Sequence, residues 1–413
     1  LLSESTRRHW LRTASAAATW TALTETLAAQ PASDEAFWHV VKRQFPLEEG
    51  LLYFNAANVC PASRAVLDRH AAYLRDFQAN PSFQNRDKYA ELHAKVRART
   101  ARLLRARPDE IALTRNTSEG TNLIVHGLDL KRGDEVIVHD HNHPSNLDSW
   151  LVRASREGFA VRILPVTFPA PSRAALLEPI AKAITPQTKV IATTHVTNTT
   201  GLRFPVDEIG KLAQQRGIWF HLDGAQSFGA LDVDVTAVGC DSYAASAHKW
   251  MMGPLEAGVL YVRAARAAQV WPSIVSAGWT GRLTGSARFE VFGQRDDARL
   301  TALDAALDFL ELFGLPKVEA RVRELTIYLK DQLGRLPGVE MRTNREPELS
   351  GGVVKLGLGP RNIAQVYDAL YQKHRVAIAM TGSGPTSGLR FSPHVYNTLD
   401  DAARLVDAVR QSL

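Results

Sequence analysis

Between residues 111 and 262, short apolar runs alternate with amphipathic stretches. The runs are 111–114, 135–138, 161–164, 190–194, 219–222, 243–246 and 257–262, each of strand length and bounded by turn residues. Helical stretches separate them, one starting at Thr117 and another after Pro144. Buried apolar strands alternating with helices predict an α/β fold with a mostly parallel sheet. Upstream, 51–54 reads as a short strand and 89–105 as a helix. The pattern changes near Ala287, where two long helical stretches (299–313 and 317–336) lead to strand-like segments at 352–358 and 377–379. A last helix covers 399–413, so the C-terminal part reads as a smaller α+β domain. The predicted division is a separate N-terminal segment 1–34, a segment 35–75 that contributes to the small domain, a large domain 76–286 and the small domain 287–413.

Composition narrows the function. Of 413 residues, 45% are hydrophobic and 22% charged, a balance that supports a sizeable core. The net charge of +6 is spread along the chain, which favours a solvated basic surface over nucleic-acid binding and suits an anionic ligand. Two cysteines, Cys60 and Cys240, allow no zinc-type spacing, so no metal site is expected. No run of apolar residues is long enough for an ordinary membrane span. Ser5-Thr6-Arg7-Arg8-His9-Trp10-Leu11-Arg12 resembles a twin-arginine export motif, and a weakly apolar stretch follows at 13–23. Export to the periplasm is the expectation. The alternative is a cytoplasmic protein with an amphipathic N-terminal helix.

The candidate chemistry gathers where predicted strands end. Asp223, in Phe220-His221-Leu222-Asp223-Gly224-Ala225-Gln226, closes an apolar strand at the edge where open α/β sheets bind ligands. A buried carboxylate there needs a partner, either the turn before Gly224 or a protonated ring nitrogen such as that of pyridoxal 5′-phosphate (PLP). Lys249, in Ser246-Ala247-His248-Lys249-Trp250, lies in apolar surroundings that lower an amine's pKa and suit it to imine formation. Ser246 and His248 are placed to donate to a phosphate. Thr117 and Ser118 open a helix after a strand, either as plain caps or as an anion site. His143 and Asn198 follow two further strands, where a ring could stack on a cofactor and an amide could bond its phenolic oxygen.

Asp-Gly-Ala-Gln, Ala-His-Lys and the late Leu389-Arg390-Phe391-Ser392-Pro393 together resemble the class V aminotransferase family of fold-type I PLP-dependent enzymes. The chain is most similar to its isopenicillin N epimerase and cysteine desulfurase-like branch, over roughly 51–413. The resemblance implies a seven-stranded sheet sandwiched by helices, with 76–286 binding PLP. It makes Lys249 the Schiff-base lysine, Asp223 the partner of the pyridine nitrogen and His143 the stacking ring. Gln226 and Asn198 would lie on the phenolic side, and Thr117, Ser118, Ser246 and His248 would hold the phosphate. Arg390 would grip the substrate carboxylate as a planar fork, with Asn58 nearby. It also implies a homodimer with interfacial sites, in which Gln294 occupies a loop position, usually Thr, that reaches the partner's phosphate. Desulfurases of the branch carry a nucleophilic cysteine shortly before the arginine. Residues 379–387 contain none, which argues against sulfur delivery.

The expected activity is therefore chemistry at the α-carbon of an amino acid, with Lys249 as general base. Epimerisation or transamination is the leading outcome. A lyase or an oxidative decarboxylase is the alternative, since an exported relative of this branch acts in periplasmic siderophore tailoring. A PLP-fold protein that binds without catalysing is the reading from another class.

Overall fold

A computed structural model of the chain describes residues 35–276 and 284–413. The segment 1–34, with the stretch that resembles an export motif, lies outside the described residues. Helix α1 (Glu35–Lys42), strand β1 (Leu52–Tyr53) and helix α2 (Arg64–Ala79) precede the main sheet. After α3 (Leu92–Leu104) come β2 (Ile111–Thr114), α4 (Thr117–Gly127), β3 (Glu135–His139), α5 (Pro144–Glu157) and β4 (Ala160–Leu164). Then follow α6 (Arg173–Ala183), β5 (Thr188–Thr194), α7 (Val206–Gln215), β6 (Trp219–Asp223), β7 (Ser242–Ser246) and β8 (Gly258–Val262).

These strands form a seven-stranded sheet in the order β2-β8-β7-β6-β5-β3-β4. All neighbours are parallel except β8, which runs antiparallel to both β2 and β7. Apolar side chains leave both faces. Val136, Val138, Val190, Ala192 and Trp219 enter one core, while Ile137, Ile191, Phe220 and Leu222 enter the other. Strands buried on both faces read as continuous apolar runs, which is why they were visible in the sequence. β4 is the exception: an edge strand, half-exposed along its length, with Ile163 43% exposed. The chain order reverses between β3 and β5, the kind of switch point at whose carboxyl edge open α/β sheets bind ligands.

The remaining elements are α8 (Ala298–Glu311), α9 (Leu315–Leu333), β9 (Glu340–Met341), β10 (Val354–Gly357), α10 (Ile363–His374), β11 (Val376–Ala377), β12 (Ala379–Thr381), β13 (Gly388–Phe391) and α11 (Leu399–Ser412). β12, β13, β10 and β9 make a four-stranded antiparallel sheet in that order. Leu329, Leu356, Phe391 and Leu405 fill the core behind it, joined by Leu52 and Phe54 from the N-terminal segment.

Several expectations change. The single strand at 377–379 is two strands in different sheets, because β11 pairs with β1 and β12 with β13. The boundary at 75/76 falls inside α2, which is continuous and packs Val66 against Ala302, Ala305 and Ala306 of α8. α2 itself was not anticipated, since only Val66 and Tyr73 of its residues are buried and the apolar periodicity is thin. β13, which carries Arg390, was not anticipated as a strand either. Among the described residues no helix is long and apolar enough to cross a membrane.

Candidate active site

At the carboxyl edge of the large sheet, β2 hands the chain to α4 through Asn116, whose side chain caps the helix by accepting from the Glu119 amide. The next residue, Thr117, is tied to the end of β7: its N–H donates to Ser246 Oγ at 2.8 Å and its hydroxyl lies 2.7 Å from the same atom. The approach is close. A Cβ on Gly120 would come within 3.0 Å of Ala244 Cβ, so glycine lets α4 sit against β7. First-turn amides of a helix have no partner within the helix. Here Thr117 and Glu119 have found side chains, and the Ser118 amide is left without a partner among the described residues. His248 follows Ser246 by two positions, with its Nδ1 buried and unpartnered. Burial, then the charge of Lys249, pushes its pKa down to about 4. Two hydroxyls, a free amide and a neutral imidazole at a helix N-terminus make a fitting phosphate cradle.

Asp223 ends β6 and is 1% exposed. One carboxylate oxygen accepts from the Ala225 N–H at 2.9 Å, and the other has no partner among the described residues. Burial pushes the carboxyl up, against the Ala225 N–H, Lys249 and His143. Such a carboxyl suits a protonated nitrogen, which would restore its charge. The Lys249 amine has neither a hydrogen bond nor an ion pair among the described residues, and the turn that carries it is braced by Met252 N–H donating to the Lys249 carbonyl. Burial lowers its amine pKa and Arg390 adds to the effect, while Asp223 opposes it.

His143 caps α5, with Nδ1 accepting from the Ser145 N–H at 3.2 Å and lying 2.8 Å from the Ser145 hydroxyl. Burial pushes its pKa down; Lys249 and Arg390 add to this and Asp223 resists. These four side chains therefore share one electrostatic neighbourhood. Arg390 enters it from β13, 5% exposed. Its Nη1 donates to the Asn198 carbonyl and its Nη2 to Asn55 Oδ1, both at 2.8 Å, while Nε is buried without a partner. Burial brings the guanidinium down to about 10.

Not every expected residue has the expected surroundings. Asn198 meets Arg390 through its backbone. Gln226 bridges Ala57 O and the Trp250 indole N–H, at 2.9 and 2.7 Å, leaving one amide hydrogen for other use. Asn58 is exposed, and Asn55 of the same segment is the residue that touches Arg390. Gln294 is exposed in the single chain and lines an open cleft of about 480 Å³ with Tyr73, Phe77, Arg86 and Tyr89. No hydrogen bond ties it to the Thr117 cradle. Asn55 carries no local sequence signal for this role, because its contact depends on a strand 335 residues away.

Comparison with known proteins gives the family and the fold. A profile of the family described as aminotransferase class-V matches residues 52–405. The chain is 29% identical to isopenicillin N epimerase of Streptomyces clavuligerus, over 91% of this chain and 98% of that one. It is 27% identical to a probable cysteine desulfurase of Methanothermobacter thermautotrophicus, over 90% of this chain and 97% of the other. Among solved structures, a lyase variant with glycine covalently linked to its PLP cofactor superposes with a TM-score of 0.81 at 23% identity, covering 89% of this chain and 98% of that one. That last likeness is one of fold.

Proposed function

The chain belongs to the class V aminotransferase family of PLP-dependent enzymes, and from that premise we propose that it moves a proton at the α-carbon of an amino acid, as an epimerase or an aminotransferase. The carrying observation is Lys249, an unpaired amine of lowered pKa between Asp223 and Arg390. PLP bound here supplies the electron sink that makes an α-proton removable. Thr117, Ser118, Ser246 and His248 would hold its phosphate, and Asp223 would keep the proton on its ring nitrogen. His143, neutral and pinned through Nδ1, offers a flat face to the ring. Arg390 takes the α-carboxylate as a fork, oriented by Asn55 and Asn198. Lys249, its amine pKa lowered by burial, would be the base that takes the α-proton.

Sulfur delivery is disfavoured because Cys60 and Cys240 are both buried, at 3% and 0% exposure, with thiols pushed well above their usual range. Elimination and oxidative decarboxylation, as in siderophore tailoring, use the same residues and differ in where the electrons go. The reading also carries a homodimer, with Gln294 available to the partner's site, and twin-arginine export through 5–12.

The purified protein is expected to show a visible band at about 420 nm, or to acquire it with added PLP. Lys249→Ala is expected to lose both the band and turnover. No band in the wild type refutes the assignment. A screen of L- and D-amino acids following α-proton exchange, keto acid, ammonia and CO₂ separates the outcomes. Light scattering reads the dimer, and periplasmic fractionation reads the export.

A further inference from the structure

β10 and β13 place two cations side by side with no acid between them. Val354, Leu356 and Leu358 enter the core of the C-terminal domain, so strand alternation turns Lys355 to the opposite face. There it stands directly opposite Arg390 in the antiparallel pair. Like charges facing each other across such a pair are destabilising. Both are nevertheless buried, Lys355 at 2% exposure and Arg390 at 5%. The Lys355 ammonium has no hydrogen-bond or ion-pair partner among the described residues. The cation on its other side, Arg342, is already engaged by Glu340 and by the Ser387 carbonyl.

Two glycines pack against this side chain: a Cβ on Gly382, where φ is +82°, would meet the Thr386 carbonyl and stand 3.0 Å from Lys355 Nζ, and one on Gly388 would meet the Leu356 carbonyl and stand 3.0 Å from Lys355 Cε. His141, two residues before His143, feels the lysine's charge and carries an unpartnered buried Nδ1. Burial, Arg342 and Arg390 together bring the Lys355 amine down to about 8. A buried cation next to a second cation is held at a cost unless an anion completes it. Under the proposed function Arg390 is committed to the α-carboxylate, which leaves Lys355 for something else.

We infer that Lys355 forms a second anion subsite beside Arg390, so that the amino acid taken by this enzyme carries an acidic group on its side chain. The inference rests on the PLP reading above. Cross-strand neighbours stand about 5 Å apart, so one small dicarboxylic amino acid can span both cations.

The test uses holoenzyme titrated with glutamate, 2-aminoadipate, glutamine and norleucine, read by the shift of the visible band. Glutamate is expected to bind about tenfold or more tightly than glutamine, the value of one charge-assisted bond. Lys355→Met is expected to bring that ratio toward one, and Lys355→Arg to keep it. Calorimetry of glutarate against butyrate reads the same preference without involving the cofactor. A wild-type ratio near one, or a ratio preserved in Lys355→Met, overturns the subsite. A missing visible band with glutarate still preferred overturns the PLP reading and leaves the anion site standing.

Discussion

Replacing Arg390 with lysine keeps the positive charge and removes the fork. In the native site, one guanidinium hydrogen goes to the Asn198 carbonyl and one to Asn55 Oδ1. Three of its five N–H donors remain for a carboxylate. An ammonium has three donors in all, so it cannot serve Asn198, Asn55 and both carboxylate oxygens. At least one charge-assisted bond is lost, worth about 1.5–3 kcal/mol, or roughly 10- to 150-fold in binding. The loss falls on ground state and transition state alike, so KM is expected to rise by that factor with a smaller change in kcat. A lysine here would face Lys355, whose own amine is brought down to about 8. The variant is therefore expected to worsen between pH 7 and 9 as the new amine discharges. The wild-type guanidinium, at about 10, holds its charge over that range. Steady-state kinetics of both enzymes on one amino acid, at three pH values, measure this. A KM within about twofold of wild type at every pH would refute the fork argument.

Two further predictions concern the frame of the site. A methyl group at Gly258 would lie 2.6 Å from Ala245 O and 2.7 Å from Asn116 Cα, with backbone on both sides. Gly258→Ala is expected to cost about 1–3 kcal/mol and to weaken PLP binding by shifting the cap of α4; an unchanged Tm and cofactor Kd would contradict the close packing. His139, His195 and His221 are buried neutral, their pKa values brought down to about 3 from an ordinary 6.5. The unfolded chain then binds more protons below pH 6.5, so stability is lost as pH falls through that value toward 3. Each such histidine contributes about 1.4 kcal/mol per pH unit well below 6.5. Denaturant melts from pH 8 to 4.5 are expected to be level at first and then steep; a flat profile would sink the assignment.

Much of the large domain was legible because its strands are buried on both faces. Such strands are mostly apolar, so 111–114 and 219–222 stand out in the sequence alone despite the buried Thr114 and His221, and Asp223 marks where the second one ends. Asp223 and Lys249 gather at one edge because parallel strands all present their carboxyl ends there, which local pattern suffices to predict. The C-terminal domain was less legible. α10 buries only two residues, as does α2, which packs against α8 from the N-terminal part of the chain, so their periodicity is faint. Pairing was decided elsewhere: β8 turning against its neighbours, and β11 and β12 parting into different sheets, depend on partners far along the chain. The same holds for individual side chains. Arg390 could be named from its motif, but Asn55 beneath it and Lys355 opposite it could not. Sequence determined where most core strands lie and end, because burial on both faces leaves an apolar mark on each residue in turn; the half-exposed β4 and the buried Lys355 escape that rule. The tertiary structure decided which residues meet, because register between distant strands is a property of the packed whole and of no single stretch.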